Sequence, residues 1–374
     1  MCKLCSINPE LAEAFAGKMI QTFNHGALST MISLGHRVGI FDVMAELGPA
    51  TIESIADNGN YSSRYVKEWL AVMVTGQVVE YNKDNFHYTL PAEHAAFLTR
   101  AAGKDNLSVL FQFIPVWTHV EDDLVECFKH GGGVPYEKNE SFHRVMAEES
   151  DKNFQTGLVD AMLPLADGLI DRLETGITVL DIGTGAGAAT IELAKRFPNS
   201  SFLGIDICEW PLEQAKAEAK RQGIGNVKFV QQDATKLEFR KQFDLITTFD
   251  AIHDQAHPDV VLRNIHQALK DDGTYFMMDI NAATNLEDNL AHPVATAFYT
   301  MSLTHCMTVS LAQGGMGLGT MWGREKSVEM LNEAGFENIA TKTLEGDFIN
   351  IFYISEKGQK PKTEAKQTRL TEWY

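Results

Sequence analysis

The spacing of apolar residues changes once along the chain, near residue 176. Before that point, apolar residues mostly recur every three or four positions, and after it short apolar runs alternate with amphipathic stretches. The first pattern predicts helices, with one β-hairpin at residues 78–90. The second predicts strands that alternate with helices, which is typical of an α/β fold with a parallel, doubly wound sheet.

The alternating region contains six predicted strands and four predicted helices. The strands are residues 177–183, 201–207, 227–234, 243–252, 274–280 and 350–355. The helices are residues 188–197, 212–223, 258–270 and 327–336. Ligands of such sheets bind where the parallel strands end, so residues at the carboxyl ends of the strands are candidates for chemistry.

The first hundred residues have the pattern of a winged helix. One helix is predicted over residues 30–47, a short helix follows the capping residue Thr51, and another covers residues 63–76, just before the hairpin. This last helix carries only Arg64 and Lys67 as cations, and phosphate contacts need more than two. We therefore favour a dimerisation and packing module over a DNA-binding domain.

Four segments are predicted from these patterns. Residues 1–100 form the winged-helix domain, 101–175 are connecting helices that contribute to a substrate pocket, 176–357 form the α/β domain, and 358–374 are a polar tail. An insert at residues 281–323 is predicted to form a lid over the site. Aromatic residues in the connecting helices are mostly core residues by their spacing, and Phe111 and Trp117 are kept as weak candidates for substrate contacts.

Composition narrows the class of protein. The chain has 374 residues, with 32 Lys and Arg against 50 Asp and Glu, giving a formal charge of −18. This balance argues against nucleic acids and anionic membranes as partners. No apolar run is long enough to span a membrane, and five cysteines suit a reducing compartment. The prediction is a cytoplasmic enzyme, with the Cys2–Cys5 pair more typical of a frayed terminus than of a metal or redox site.

A glycine-rich turn between the first predicted strand and its helix is the strongest motif. Residues 181–187 read Asp-Ile-Gly-Thr-Gly-Ala-Gly, which brings backbone N–H groups close to a ligand at a helix N-terminus. Gly183, Gly185 and Ala188 also fit the dinucleotide fingerprint. Asp181, however, would repel a pyrophosphate and attract an ammonium group. Another acidic residue, Asp233, ends the third strand.

These residues, with Asp206 at the end of the second strand, resemble the class I S-adenosylmethionine-dependent methyltransferases over about residues 177–355. The resemblance implies a Rossmann-like domain that binds S-adenosyl-L-methionine and releases S-adenosyl-L-homocysteine. It implies that Asp206 binds the ribose hydroxyls and Asp233 the adenine amino group. The full set of implied cofactor-binding residues is Asp181, Gly183, Thr184, Gly185, Gly187, Asp206, Ile207, Asp233, Ala234 and Phe249.

A second cluster, residues 250–254, follows the fourth predicted strand and contains His253. Histidine suits a base near neutral pH, although a structural histidine is equally compatible with the sequence. Together with the winged helix, the His-Asp pair is similar to small-molecule O-methyltransferases of the caffeate and acetylserotonin type. This resemblance implies that His253 is the general base, with Asp254 beside it and Asp279 orienting it. Gln255 stands where that family has Trp. This difference bears on the shape of the substrate pocket more than on the base. No metal ion is predicted.

The chain also resembles a separate branch of winged-helix methyltransferases from bacteria and animals, through segments such as SSRYVKEWL, AIHD and LNEAGF. The resemblance implies a homodimer and a small-molecule methyl acceptor. His305 and Trp322, in the predicted lid, are weak candidates for substrate contacts. The sequence leaves open O-methylation, N-methylation of a small heteroaromatic or amine acceptor, and a non-catalytic regulator that senses the cofactor. It also leaves the identity of the acceptor open.

Overall fold

The computed structural model describes residues 7–357, which divide into two compact units. One unit comprises the chain up to Asp122 together with Asn139–Asn153, and the other comprises Asp123–Lys138 and the chain from Phe154 onward. The predicted connecting segment 101–175 is therefore shared between the two units instead of standing between them. Cys2, Cys5 and the predicted tail at residues 358–374 lie outside the described residues.

The first unit is mostly helical and has the predicted winged-helix order, in which helices precede the hairpin; two further helices follow it. Its helices α1 to α6 and strands β1 and β2 are, in that order, Pro9–Val38, Ile40–Leu47, Ile52–Gly59, Ser63–Thr75, Ala92–Leu98, Phe113–His119, Glu80–Asn82 and His87–Thr89. Two 3₁₀ turns, Arg100–Asp105 and Leu107–Gln112, lie between α5 and α6. Helix α7, Glu121–His130, and helix α8, Glu140–Gly157, cross the sequence boundaries between the units.

The single helix predicted over residues 30–47 is wrong, because the chain breaks at Gly39. Gly39 has a φ of 79° and closes α1 with hydrogen bonds from its N–H to the carbonyls of Gly35 and His36. This is a glycine C-cap, which a left-handed residue without a side chain forms readily. The predicted cap at Thr51 is confirmed, since its side chain accepts a hydrogen bond from the Ser54 N–H.

The winged-helix core forms around Trp69 of α4. The Trp69 ring meets the Phe41 ring edge to face at 5.2 Å, and its indole N–H donates to the Met31 carbonyl at 2.9 Å. Both partners of the ring pair are buried. The Trp69 side chain thereby ties α1, α2 and α4 together, with its polar atom satisfied.

The second unit contains a seven-stranded sheet. Its strands β3 to β9 are Thr178–Ile182, Ser201–Asp206, Val227–Gln231, Phe243–Phe249, Leu269–Ile280, Phe336–Lys342 and Asn350–Lys357. The strand order is β5-β4-β3-β6-β7-β9-β8, with the first five strands parallel and β9 antiparallel to both of its neighbours. The predicted α/β, Rossmann-like fold class is confirmed.

Two features of the sheet differ from the sequence prediction. Strand β8 was not predicted, because most of its side chains are exposed and it therefore lacks an apolar run. Strand β9 was predicted in place, but its antiparallel direction is fixed by β8, which returns the chain beside it. A hairpin of this kind is the short connection available to antiparallel strands.

Helices cover both faces of the sheet. In the second unit, α9 to α15 are Leu169–Thr175, Ala188–Arg196, Glu209–Gln222, Pro258–Ala268, Ala295–Met301, Met307–Ala312 and Gly323–Ala334. Leu180 and Ile182 of β3 belong to one apolar core, with α12 and α15, and Val179 belongs to the other, with α9 and α10. Neighbouring side chains of a strand point to opposite faces, so β3 contributes to both cores.

The insert at residues 281–323 is largely helical. It holds α13, α14 and a π-helical turn, Ser302–Cys306, between them. His305 and Cys306 of that turn are almost completely buried. The glycines near its end are tightly turned, with positive φ at Gly317 and Gly319. Its action as a lid stays a prediction. No helix within residues 7–357 combines the length and apolar character that crossing a bilayer requires.

Candidate active site

Four acidic residues gather at the carboxyl edge of the sheet. Asp181 and Asp279 are the last residues but one of β3 and β7, Asp206 ends β4, and Asp250 follows β6 directly. These strands are neighbours in the order β4-β3-β6-β7. The structure therefore brings the glycine-rich turn and the histidine cluster to one edge, as the sequence predicts.

The glycine-rich turn is built for close approach of a ligand. Gly183, Gly185 and Gly187 have φ values of 73°, 53° and 80°, which disfavour other residue types. A Cβ atom at Gly183 would lie 2.5 Å from Ala251 Cβ, and one at Gly187 would lie 2.8 Å from Ala215 Cβ. At Gly185 the same atom would meet nothing within 4 Å. The middle glycine thus faces open space while the outer two pack against the fold.

Asp206 connects this turn to the next loop. One carboxylate oxygen accepts a hydrogen bond from the Gly185 N–H and the other from the Cys208 N–H, both at 2.9 Å. Burial raises the pKa of Asp206 above its ordinary value, although the backbone donors oppose this shift. Each oxygen keeps a further lone pair, so the carboxylate can also accept from the hydroxyls of a ligand.

Asp181 has a different environment from the one its sequence position suggests. Its two oxygens accept hydrogen bonds from Thr190 Oγ1 at 2.6 Å and Thr247 Oγ1 at 2.7 Å. The side chain is only 2% exposed, and burial raises the pKa of Asp181. Asp181 therefore fixes the turn against α10 and β6. Its direct contact with a cofactor stays a prediction.

Of the remaining predicted cofactor residues, Thr184 lies in the turn after β3, with its hydroxyl 2.7 Å from that of Thr190. The others lie at or just after the ends of β4, β5 and β6. Asp233 accepts hydrogen bonds from the N–H and hydroxyl of Thr235 at 2.9 and 2.6 Å. Ala234, next to it, is buried, whereas Ile207 is half exposed. The Phe249 ring packs 4.9 Å from that of Phe154. Ile207 offers an open apolar surface beside Asp206, suited to a flat ring.

His253 and Asp279 form a buried pair. His253 Nδ1 lies 2.7 Å from Asp279 Oδ1, and both side chains are almost fully enclosed. The Ile280 N–H donates to the same oxygen at 2.8 Å, which holds the carboxylate in place. The pairing predicted from the sequence is therefore present. In the neutral form of His253 with its proton on Nδ1, the lone pair of Nε2 is available as a base.

The electrostatics of the pair favour positive charge. Burial alone would lower the pKa of His253, but the carboxylates of Asp279 and Asp254 outweigh it, and the pKa lies well above its ordinary value. The surroundings of nearby Asp250 favour its neutral form instead. Burial and the charge of Asp279 raise the pKa of Asp250 to about 7. Asp250 also has a φ of 51°, an uncommon conformation for a residue other than glycine.

The insert and the loop before α8 add residues to this cluster. His253 Nε2 lies 3.4 Å from Asp254 Oδ1, and His305 Nε2 lies 3.8 Å from Asp254 Oδ2. The Tyr136 ring packs on that of His305 at 5.6 Å between centroids. The thiol of Cys306 is a neighbour of the His253 ring, and burial raises the pKa of Cys306 to about 12.

Sequence reasoning missed Tyr136 and Cys306. Burial and the nearby charges of Asp206 and Asp254 raise the pKa of Tyr136 well above its ordinary value. No spacing or motif connects either residue to His253, because both come from irregular segments distant in sequence. In the sequence, the one indication that Cys306 belongs to the His253 cluster is its residue type, together with its position next to the candidate His305.

The weak substrate candidates separate into two groups. His305 joins the His253 cluster, whereas Trp322 is 4% exposed and packs in an apolar core of the sheet. Within the first unit, Phe111 packs against the winged-helix core. The Trp117 ring stacks on Phe113 at 6.1 Å. For Trp322, the structure favours the packing role that its residue type already suggested.

Comparisons with known proteins agree with this architecture. Residues 26–100 match the family described as the Rv2258c-like winged HTH domain, and residues 173–335 match a family described as a methyltransferase domain. A (S)-coclaurine N-methyltransferase of Papaver somniferum is 28% identical over 33% of this chain. A demethylmenaquinone methyltransferase of Lactococcus lactis is 31% identical over 29% of it. The matches span 35% and 44% of those relatives, so the similarity covers less than half of each.

The similarity to solved structures extends over nearly the whole chain. Human N-acetylserotonin methyltransferase, in complex with S-adenosylmethionine, superposes with a TM-score of 0.65 and 20% identity. The superposition covers 95% of this chain and 99% of the human one. At this identity, it shows a common fold. The chain therefore joins a winged helix-turn-helix domain to a methyltransferase domain of Rossmann-like fold.

Proposed function

We propose that the protein is an S-adenosylmethionine-dependent methyltransferase that methylates a hydroxyl group of a small molecule, with His253 as the general base. The observation that carries the proposal is the His253–Asp279 pair, with 2.7 Å between Nδ1 and Oδ1. The pair lies at the sheet edge that also holds the glycine-rich turn and Asp206. A proton acceptor and a candidate cofactor site therefore share one edge of the sheet.

The residues at this edge fit S-adenosylmethionine. The open side of Gly185 leaves room for the methionine part of the cofactor, and Asp206 retains acceptor capacity for ribose hydroxyls. The acidic groups Asp206 and Asp250 suit a ligand with two cationic groups better than they suit a pyrophosphate. When bound, the cofactor supplies an activated methyl group on its sulfonium and leaves as S-adenosyl-L-homocysteine.

The contribution of the chain is to position the acceptor and remove its proton. Asp279 accepts the hydrogen bond from His253 Nδ1 and thereby selects the tautomer with a free Nε2. The same carboxylate, with that of Asp254, strengthens His253 as a proton acceptor. Proximity of acceptor and cofactor supplies much of the remaining rate enhancement. An aromatic or tertiary nitrogen has no proton to lose, so such an acceptor would not need this base.

The winged-helix domain is proposed to pair two copies of the chain. Helix α1 exposes a row of large apolar side chains over its first half: Leu11, Phe15, Met19, Ile20 and Phe23. An exposed apolar row on a helix marks an association surface, and a two-fold axis lets the same row pair with itself. DNA is not the proposed partner, because Arg64 of α4 is already paired with Glu68.

We propose the cytoplasm as the location of the protein. No disulfide joins Cys127, Cys208 and Cys306, and a reducing compartment keeps cysteines in the thiol form. Among residues 7–357, the structure contains no disulfide that would favour an oxidising compartment.

Two measurements test the function. The first is calorimetric titration with S-adenosylmethionine, S-adenosylhomocysteine and NAD. We expect binding of the first two compounds and not of NAD. The second is transfer of a labelled methyl group to panels of phenols, hydroxyindoles and heteroaromatic amines.

The variant His253→Ala separates the candidate roles. We expect unchanged affinity for S-adenosylhomocysteine and a turnover of a hydroxyl acceptor that is about 10²–10⁴-fold lower. The matched control is His266→Ala, a buried histidine of α12 packed edge-on against Phe336. Equal turnover by both variants would refute His253 as the base. Cofactor binding without transfer to any acceptor class would favour a regulator.

A further inference from the structure

We propose that His253, Asp254 and Cys306 form a binding site for a zinc ion, with a fourth position left for an exogenous ligand. This inference concerns metal binding and goes beyond the proposed methyl transfer. The sequence offered His253, Asp254 and His257 in one loop but indicated no fourth ligand, so no metal ion was predicted. The structure supplies Cys306 from the π-helical turn of the insert, some fifty residues further along the chain.

The three donor atoms are already close. His253 Nε2 lies 3.4 Å from Asp254 Oδ1. One ligand atom from each of the three residues lies within 4.8 Å of the other two. Zinc bonds of about 2.0–2.3 Å at tetrahedral angles place ligand atoms about 3.3–3.8 Å apart. Closing the site therefore needs movements of about 1 Å, within the reach of side-chain rotations.

Supporting hydrogen bonds resemble those of zinc sites. A metal-binding histidine commonly donates its other ring N–H to a carboxylate, and Asp279 stands 2.7 Å from His253 Nδ1 in that role. Thr320 Oγ1 donates to Cys306 Sγ at 3.0 Å. This donor favours negative charge on the sulfur and opposes the burial and the Asp254 charge that raise the pKa of Cys306; binding of the metal would displace the thiol proton. Asp279 and Thr320 are almost fully buried. Their hydrogen bonds therefore hold the side chains of His253 and Cys306 in position.

The donor set selects the kind of metal. Imidazole nitrogen, thiolate sulfur and one carboxylate oxygen suit zinc, whereas magnesium and calcium prefer oxygen ligands throughout. Three protein ligands and an open position are the pattern of zinc sites that exchange a ligand. Asp254 is the most exposed of the three, at 21% of its side chain, against 4% for His253. An ion can therefore enter on the Asp254 side.

Zinc at this position has a direct consequence for the proposed base. The lone pair of His253 Nε2 either binds the metal or accepts a proton, and it cannot do both. Zinc is therefore expected to inhibit methyl transfer to a hydroxyl acceptor. The inhibition follows from competition for one atom and requires no change of fold.

Cobalt titration tests the site without relying on activity. Co²⁺ replaces zinc in such sites and gives an absorption band from thiolate-to-cobalt charge transfer when a cysteine is a ligand. The titration uses the full chain carrying Cys2→Ser and Cys5→Ser, because the two thiols of this Cys-x-x-Cys sequence could also bind cobalt. We expect a band that saturates at one equivalent and disappears when one equivalent of Zn²⁺ is added.

Two variants and one control complete the test. Cys306→Ser is expected to abolish the band, and Asp254→Asn to weaken cobalt affinity by at least about tenfold. Cys208→Ser removes a partly exposed thiol that is not one of the three proposed ligands. This variant is expected to leave the absorption band and the cobalt affinity unchanged. Absence of a saturable band in the parent, or its survival in Cys306→Ser, overturns the proposal. Should Cys306→Ser fail to fold, Asp254→Asn decides the matter, and unchanged affinity there also overturns it.

The proposed function fails separately from the zinc site. Affinity for S-adenosylhomocysteine is measured by calorimetry in the same metal-free proteins. A cobalt band without cofactor binding would refute the methyltransferase proposal and support the metal site. Cofactor binding without a cobalt band would support the methyltransferase proposal and refute the metal site.

Discussion

His253 and Asp279 lie 26 positions apart in the sequence, yet their Nδ1 and Oδ1 atoms are 2.7 Å apart. The contact exists because β6 and β7 are parallel neighbours, which places the ends of both strands side by side. Asp279 is fully buried within its strand, whereas His253 follows four residues after the end of β6. Asp279, in a rigid strand, thus positions the His253 ring, which lies on a loop. Catalytic residues are often found on loops that a rigid scaffold positions.

Asp279→Asn should remove base function while keeping the shape of the site. An asparagine amide can donate to His253 Nδ1, which places the ring proton on Nε2 and abolishes the free lone pair. By this tautomer argument, kcat for a hydroxyl acceptor is expected to fall by up to about 10⁴-fold, with little change in KM. Steady-state kinetics checks this split. A loss confined to KM, or a parallel loss of cofactor affinity, would show that Asp279 acts on binding or on the fold.

The parallel strands could be predicted because their residues are buried on both faces. Strands β3 and β6 are mostly buried along their length and end in acidic or glycine-rich turns, and each was predicted to within a few residues. Strand β8 escaped prediction because one of its faces is exposed. The break at Gly39 escaped because apolar spacing continues smoothly from α1 into α2.

The candidate site was predictable to the extent that it follows the ends of strands. Asp206, Asp279 and His253 occupy such positions, and strand order brings them together. Tyr136 and Cys306 reach the cluster through irregular segments whose paths depend on packing, and no local pattern encodes those paths. Asp181 was found by position, but its bonds to Thr190 and Thr247 depend on side-chain geometry that the sequence does not display.

Asp206→Ala should weaken cofactor binding. The substitution leaves the N–H groups of Gly185 and Cys208 without their present acceptors and removes the proposed partner of the ribose hydroxyls. Hydrogen bonds to a charged group contribute about 1.5–3 kcal/mol each, so affinity is expected to fall by about 10–100-fold. Titration calorimetry with S-adenosylhomocysteine measures it. Asp233→Ala should cost less, because Asp233 bonds within its own turn; equal affinities for wild type and Asp206→Ala would contradict the ribose assignment.

Gly185→Ala and Gly187→Ala form a matched pair within the glycine-rich turn. Both residues have positive φ, so both variants carry the backbone strain of about 1 kcal/mol. At Gly187 the new methyl group would also meet Ala215 and Phe229 below 3 Å, so this variant should lose more stability. At Gly185 the methyl group enters open space, so we expect the loss of stability to be limited to the backbone strain, together with weaker cofactor binding. Thermal unfolding and calorimetry separate the two effects, and normal affinity in Gly185→Ala would show that the open side does not face the cofactor.

The stability of the protein should fall as the pH rises toward the pKa of Asp250. Its pKa is about 7 in the folded protein and about 3.9 in the unfolded chain, so the folded state binds the extra proton between these values. Burial is the largest cause of the shift, the charges of Asp279, Asp254 and Asp347 add to it, and His253 opposes it. Its contribution therefore becomes less favourable as the pH rises from about 4 to 7.

Asp250→Asn removes this dependence and should be more stable than wild type above pH 7, with the difference shrinking on acidification. Asp244→Asn is the control of opposite sign. Burial alone would raise the pKa of Asp244, but its hydrogen bonds with Lys270 and Thr178 lower it, so that variant should be less stable than wild type at neutral pH. Urea unfolding between pH 5 and 8 measures both differences, and a constant difference for Asp250→Asn would contradict the shift.

The apolar row of α1 should hold a dimer together. Helix α1 is 30 residues long, which corresponds to about 45 Å, and Phe15 and Phe23 on it are 61% and 78% exposed. A charge placed in a buried apolar contact is costly, so Phe15→Glu and Phe23→Glu should each convert a dimer into monomers. Gln21→Glu, on the opposite face of the same helix, adds the same charge and should leave the dimer intact. Light scattering after size exclusion gives the masses; a monomeric wild type, or a dimer that survives both Phe substitutions, would remove α1 as the interface.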